Sequence, residues 1–132
     1  MKNALFFLFV IFLLAGCTQQ IQQQAPQAGS QETISQVKVS FAVNDGENNI
    51  LEKTVEVEKG TIALDALREA TEVKGKQYEF GFFVESIAGV EAGQSHYWAI
   101  YVDNVYAEKG IDQIVLDKDA NLRFVLEEIR EF

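Results

Sequence analysis

From residue 37 to 43 the chain alternates: Val37, Val39, Phe41 and Val43 are apolar, and Lys38, Ser40 and Ala42 between them are polar or small. A period of two puts each set on one side of a pleated strand, so this segment predicts a half-buried strand. Asn44-Asp45-Gly46-Glu47-Asn48-Asn49 is a cluster of turn formers, and Leu51, Val55 and Val57 predict a second strand, the two reading as a hairpin. The pattern breaks at Lys59-Gly60-Thr61. Thr61 can cap a helix start by accepting a backbone N–H. Ile62, Ala63, Ala66, Leu67 and Ala70 then recur at helical spacing to about Glu72, and Gly75 ends the segment. Tyr78, Phe80, Phe82, Phe83 and Val84 predict a third strand interrupted at Gly81, and residues 89–95 predict a loop. His96-Tyr97-Trp98-Ala99-Ile100-Tyr101-Val102-Asp103-Asn104 predicts a fourth strand. Leu122, Phe124 and Leu126, alternating with Arg123, Val125 and Glu127, predict a last one. Two strands, a helix and three strands describe an α+β fold: a mixed sheet of about five strands with one helix packed on one face.

The fourth strand holds the only histidine, the only tryptophan and two of the four tyrosines. Trp98, Ile100 and Val102 share one face, with His96 two residues before Trp98, and Tyr97, Ala99 and Tyr101 share the other. The more apolar set is expected to meet the helix, which makes Trp98 core. One helix covers one side of a sheet, so Tyr97 and Tyr101 are left on the open side with Arg123 and Lys38. Exposed aromatics with a few polar groups are what binding surfaces use. These four are the ligand-binding candidates, with Trp98 and His96 next should the strand face the other way.

The beginning of the chain reads differently. Lys2 precedes an unbroken apolar run of 11 residues, Ala4 to Leu14. A membrane span needs about 20 residues, so the run predicts a secretory signal peptide instead. Leu14-Ala15-Gly16-Cys17 resembles the prokaryotic lipoprotein signal, which implies cleavage after residue 16 and lipidation of Cys17. Residues 17–35 are glutamine-rich, contain the only proline and few large apolar residues, and so predict a flexible tether. The folded domain is expected over 36–132. Lipidation uses the only cysteine and leaves no thiol for a disulfide, a nucleophile or a metal. It also places the protein on the outer, extracytoplasmic face of a membrane, with membrane lipid as its first partner. In an organism with two membranes, Thr18 after the cysteine, rather than aspartate, leaves the outer membrane open.

Charge excludes a class of partner. Twenty acidic residues against 11 basic give a net charge of −9, with no basic run. Phosphate recognition needs clustered Lys and Arg, so nucleic acid is excluded as a partner.

The order of elements, with GTIALDAL after the second strand, VESIAGV, YWAIYVDN, KGIDQIVL and DKDANLRFVLE, resembles the transcobalamin C-terminal-like domain, domain-of-unknown-function family 4430, over roughly residues 36–128. The resemblance implies a ubiquitin-like β-grasp. The family often has Asn-Gly after the tryptophan strand and Asp-Gly-Asp near the end, where this chain has Asn104-Val105 and Asp117-Lys118-Asp119. In transcobalamin and intrinsic factor the domain closes over cobalamin beside a large helical domain. The 97 residues from 36 to 132 are too few for such a helical domain, so the resemblance implies cobalamin bound weakly or with a separate partner.

Catalytic chemistry finds little support. His96 has no cysteine to pair with, Ser95 beside it is expected to point to the opposite face, and no nucleophile elbow or phosphate-binding glycine loop is present. Asp117, Asp119 and Asn121 stand at positions 1, 3 and 5 of a calcium loop with Glu128 at position 12, but position 6, which calls for glycine, is Leu122. No metal site is expected. What remains is a non-enzymatic, surface-anchored module that binds an unknown small molecule. The alternative is a structural component docking on another cell-envelope protein through the open sheet face or an edge strand.

Overall fold

The computed structural model describes residues 34–130. The expected signal peptide, Cys17 and the tether as far as residue 33 lie outside the described residues. In chain order the elements are β1 (Gln36–Asn44), β2 (Asn49–Glu58), β3 (Thr61–Ile62), α1 (Ala63–Ala70), β4 (Val73–Tyr78), β5 (Gly81–Ile87), β6 (Val90–Glu91), β7 (His96–Val102), β8 (Val105–Tyr106), a 3₁₀ turn (Ile111–Gln113), β9 (Val115–Leu116) and β10 (Ala120–Glu128). The main sheet is mixed and five-stranded, in the order β2-β1-β10-β7-β8. β1 and β10 pair in parallel at its centre, Val39 opposite Ala120 and Val43 opposite Phe124, and the other neighbours are antiparallel.

Alternation decides which side is core. Val37, Val39, Phe41 and Val43 of β1, Leu122 and Phe124 of β10, and Trp98 and Ile100 of β7 are buried in one cluster with Ala63, Ala66 and Leu67 of α1. Phe41 and Phe124 meet with ring centroids 6.4 Å apart. Burying a side chain of this size contributes about 1.5–3 kcal/mol, so the β1–β10 pair and the helix it carries form the stable centre.

Three expectations are corrected. Thr61 does not cap the helix: it pairs with Leu116 in the short β3–β9 ladder, Ile62 is the N-cap without a side-chain bond, and the Ala63 N–H donates to the Ile114 carbonyl at 2.9 Å. The helix ends at Ala70 rather than Glu72, the Thr71 N–H closing on the Leu67 carbonyl at 2.9 Å. Residues 78–84 are not a third strand of the main sheet. They are the tip of the β4–β5 hairpin, which with β6 makes a separate three-stranded sheet. Gly75 therefore lies inside β4, beside a register shift between Lys74 and Gly75, where an added Cβ would collide with the Phe83 carbonyl. Val84 and Ile87 of β5 still join the common core.

The turn after β7 explains how the chain manages without glycine. Asp103 and Asn104 both have positive φ, 49° and 69°. Consecutive positive φ values are what a type I′ hairpin turn requires, and Asn and Asp tolerate them best after glycine. The turn is therefore Asp103-Asn104, and Val105 is already in β8. The Asp103 carboxylate accepts the Asn121 N–H at 3.0 Å and ties the turn to β10.

Candidate functional site

β7 has the two faces its alternation predicts. Trp98 is buried, at 5% exposure, yet it also lines a cleft. β8 pairs only with Tyr101 and Val102. The N-terminal half of β7 is thus an uncovered sheet edge, and the β5 hairpin stands across from it. Between them lies a cavity of about 310 Å³ walled by Phe80, Phe82, Phe83, Tyr97, Trp98 and Tyr106 and floored by residues 107–110. The hairpin is held there by its tip: the Gln113 side-chain amide donates to the Phe80 carbonyl at 2.9 Å, and that of Gln77 to the Asp112 carboxylate at 3.1 Å. Phe80, Phe83 and Tyr106 are exposed, at 69%, 40% and 49%. Tyr78 and Phe80 stack at 5.1 Å in nearly parallel planes, and the Arg68 guanidinium lies 5.1 Å from the Phe82 ring centre.

The Trp98 indole Nε1 is buried with no hydrogen-bond partner among the described residues. A buried donor left unmade costs about 1–3 kcal/mol. The aromatic rings that line the cleft suit an apolar face of a ring-bearing guest.

The open face of the main sheet brings together three of the four residues expected there. Tyr97 and Tyr101 donate their hydroxyls to the two oxygens of Glu127, at 3.2 and 2.6 Å. The Arg123 guanidinium lies 4.5 Å from the centre of the Tyr101 ring, and Tyr106 meets that ring edge-on at 5.7 Å. Burial, reinforced by the Glu127 charge, pushes the Tyr97 phenol up to about 12. The hydrogen bond to Glu127, with burial second, raises Tyr101 as well. Both tyrosines are only half exposed or less, so the exposed aromatic patch expected on this side is instead a bonded cluster.

Lys38 stands apart from them. It is four residues along β1 from Ala42, the register partner of Arg123, or roughly 13 Å away, and it faces Glu56 at 3.7 Å. His96 does not line the aromatic cavity. Its Nδ1 is hydrogen-bonded to the Ser95 hydroxyl at 2.9 Å, which corrects the expectation that the two point apart: Ser95 belongs to the turn before β7, where strand alternation does not hold. No carboxylate hydrogen-bonds that imidazole among the described residues. Asp119, from the calcium-like spacing, accepts the Lys38 N–H at 2.8 Å. Among the described residues no three His, Cys, Asp or Glu side chains gather to hold a metal ion.

Sequence reading missed the aromatic cleft. Its signal was present in Phe80-Gly81-Phe82-Phe83, where three aromatics surround one glycine and exceed what a single strand face can bury.

A family model described as a domain of unknown function (DUF4430) matches residues 60–128. No curated protein matches the chain. Among solved structures, a candidate metal binding protein from Ruminococcus gnavus superposes with a TM-score of 0.60 at 18% identity, over 71% of this chain and 99% of that one. Haptocorrin in complex with Cbi superposes with a TM-score of 0.65 at 17% identity, over 74% of this chain and 26% of haptocorrin. Similarity at these identities is similarity of fold, and this chain spans about a quarter of haptocorrin's length.

Proposed function

The chain belongs to the DUF4430 family, and from that footing we propose that it is a non-enzymatic binding module of β-grasp type, held at the outer face of a membrane through lipidated Cys17. The parallel pairing of the first and last long strands, with α1 behind them, supports the β-grasp reading. The observation that carries the functional reading is the aromatic cleft, with Trp98 in its wall. Its guest is a molecule that lays a ring face against these aromatics. Cobalamin-type compounds present such a conjugated ring, and the similar haptocorrin structure holds Cbi. Affinity from this domain alone is weak, because one open cleft buries only part of a guest that size.

Trp98 is the only tryptophan, so it reports on its own site. Titrating the chain with cobalamin and cobinamide is expected to quench its fluorescence saturably, and Trp98→Phe is expected to weaken binding measured by calorimetry. No saturable change up to about 1 mM ligand, equivalent to about −4 kcal/mol, ends the cobalamin reading. The exposed stack of Tyr78 and Phe80 supports a second reading, docking on another envelope protein. Under it, Tyr78→Ser with Phe80→Ser abolishes co-purification with that protein and leaves corrinoid quenching at zero.

A further inference from the structure

We propose that the open sheet face carries a second site, distinct from the aromatic cleft, for a carboxylate borne on a hydroxylated framework, with Arg123 as its anchor. A groove of about 420 Å³ crosses this face; its lining includes the polar residues Ser40, Glu52, Thr54, Asn104, Asn121 and Arg123, together with Lys53, whose ammonium donates to the Ala70 carbonyl at 3.0 Å. That volume lies in the range of small-molecule sites, about 300–1,000 Å³.

The state of Arg123 points to an anion. Its guanidinium rests on the Tyr101 ring at 4.5 Å, a stack that fixes the plane of the donor fork before any ligand arrives. The carboxylates that share its face are engaged elsewhere, Glu56 with Lys38 and Asp103 with the Asn121 N–H. Glu127 accepts from the hydroxyls of Tyr97 and Tyr101, and Glu52 accepts from the Asn49 side-chain amide. Among the described residues Arg123 is in no ion pair and no hydrogen bond with another side chain. A planar fork of this kind matches a carboxylate in two parallel hydrogen bonds, each stronger than a neutral one.

The remaining wall specifies what the carboxylate is attached to. Asn104 and Asn121 offer amides that both donate and accept, and Ser40 and Thr54 offer hydroxyls that now bond each other at 3.0 Å. Groups of that kind serve vicinal hydroxyls better than an apolar chain. The Asp103-Asn104 turn, bonded to Asn121, holds the two amides on a rigid element. The chain's net charge of −9 opposes an anion at long range. At physiological salt that field is screened beyond about 8 Å, so the guanidinium governs the groove. Sugar acids and polyhydroxy acids are the class that satisfies both halves of the site.

The test is calorimetric titration of the purified full chain in detergent with glucuronate, glucose and inorganic phosphate. Glucuronate is expected to give saturable heat, glucose none, and phosphate a dissociation constant at least about tenfold weaker, having charge without the framework. Arg123→Gln is expected to weaken glucuronate at least about tenfold, and Arg123→Lys nearly as much, since lysine keeps the charge and loses the fork. Asn104→Gly, which keeps the positive φ of the turn, with Asn121→Ala should weaken it by about threefold or more, which keeps the test open if an Arg123 variant does not fold. Corrinoid quenching of Trp98 reads the other site and stays unchanged in all of these. Absence of saturation by glucuronate, equal binding of glucose or phosphate, or Arg123→Gln binding as wild type overturns the proposal.

Discussion

Three side chains on one strand, Tyr97, Trp98 and Tyr101, separate packing from chemistry. Trp98→Ala removes a large ring from the core and is expected to cost about 3–5 kcal/mol. That is a large part of the 5–15 kcal/mol typical of a domain this size, and chemical denaturation will read it. Trp98→Phe instead retains most of the buried ring and deletes the orphan N–H. It is expected to remain within about 1 kcal/mol of wild type, because the lost area is offset by relief of an unmade hydrogen bond. The tyrosines carry the pH dependence. A phenol raised to about 12 in the fold, as Tyr97 is, stays protonated after the unfolded chain has begun to ionise near 10. Its contribution is complete below about pH 10 and is lost as pH rises to about 12. Urea midpoints measured across that window should fall, and Tyr97→Phe with Tyr101→Phe should flatten the fall. Alternation made the faces of Tyr97, Trp98 and Tyr101 legible in the sequence. It could not show that Glu127 gathers both hydroxyls, nor that Ser95 turns back onto His96, because those contacts depend on β10 lying beside β7 and on a turn.

At the scale of elements, the strands that alternate were legible and those that do not were not. β1, β2, β7 and β10 repeat apolar residues every second position and sit where that period puts them. β4, Val73–Tyr78, is almost wholly exposed and offers no such signal. It is a strand because β5 pairs with it, a tertiary cause that a single sequence does not display. β3, β6, β8 and β9 are two residues each, shorter than any period can reveal. The β4–β5 hairpin depends on Gly81, with φ of 132°, a conformation that side-chain-bearing residues rarely adopt. An added Cβ there would also lie 2.9 Å from the Asp112 carboxylate. Gly81→Ala is therefore expected to destabilise the domain by more than about 1 kcal/mol. It should also open the cleft, which thermal melting together with Trp98 emission would detect.

For the whole molecule, the central pairing joins the two ends of the domain: β1 from Gln36 and β10 from Ala120 close last in sequence and lie first in the core. Such non-local pairing slows folding to the range of milliseconds to seconds. Deleting residues from Ala120 onward is expected to leave no cooperative unfolding transition. At the other end of the chain, Cys17→Ser is expected to abolish lipid labelling and membrane retention. Wild-type protein recovered from the medium with a free thiol at Cys17 would refute the anchor.

The same parallel pair also sets what the surroundings can reach. Because β7 runs against β10, Trp98 lies opposite Leu126, beyond the far end of β1, while the chain enters the sheet at Gln36. Over the nine residues of β1, that separation is roughly 30 Å along the strands. If the chain is held ahead of Gln36, as proposed, the described domain is a lamp lit at the end away from its holder. A bulky fusion placed before Gln36 should leave ligand capture untouched, and the same fusion placed after Glu128 should crowd the mouth of the cleft.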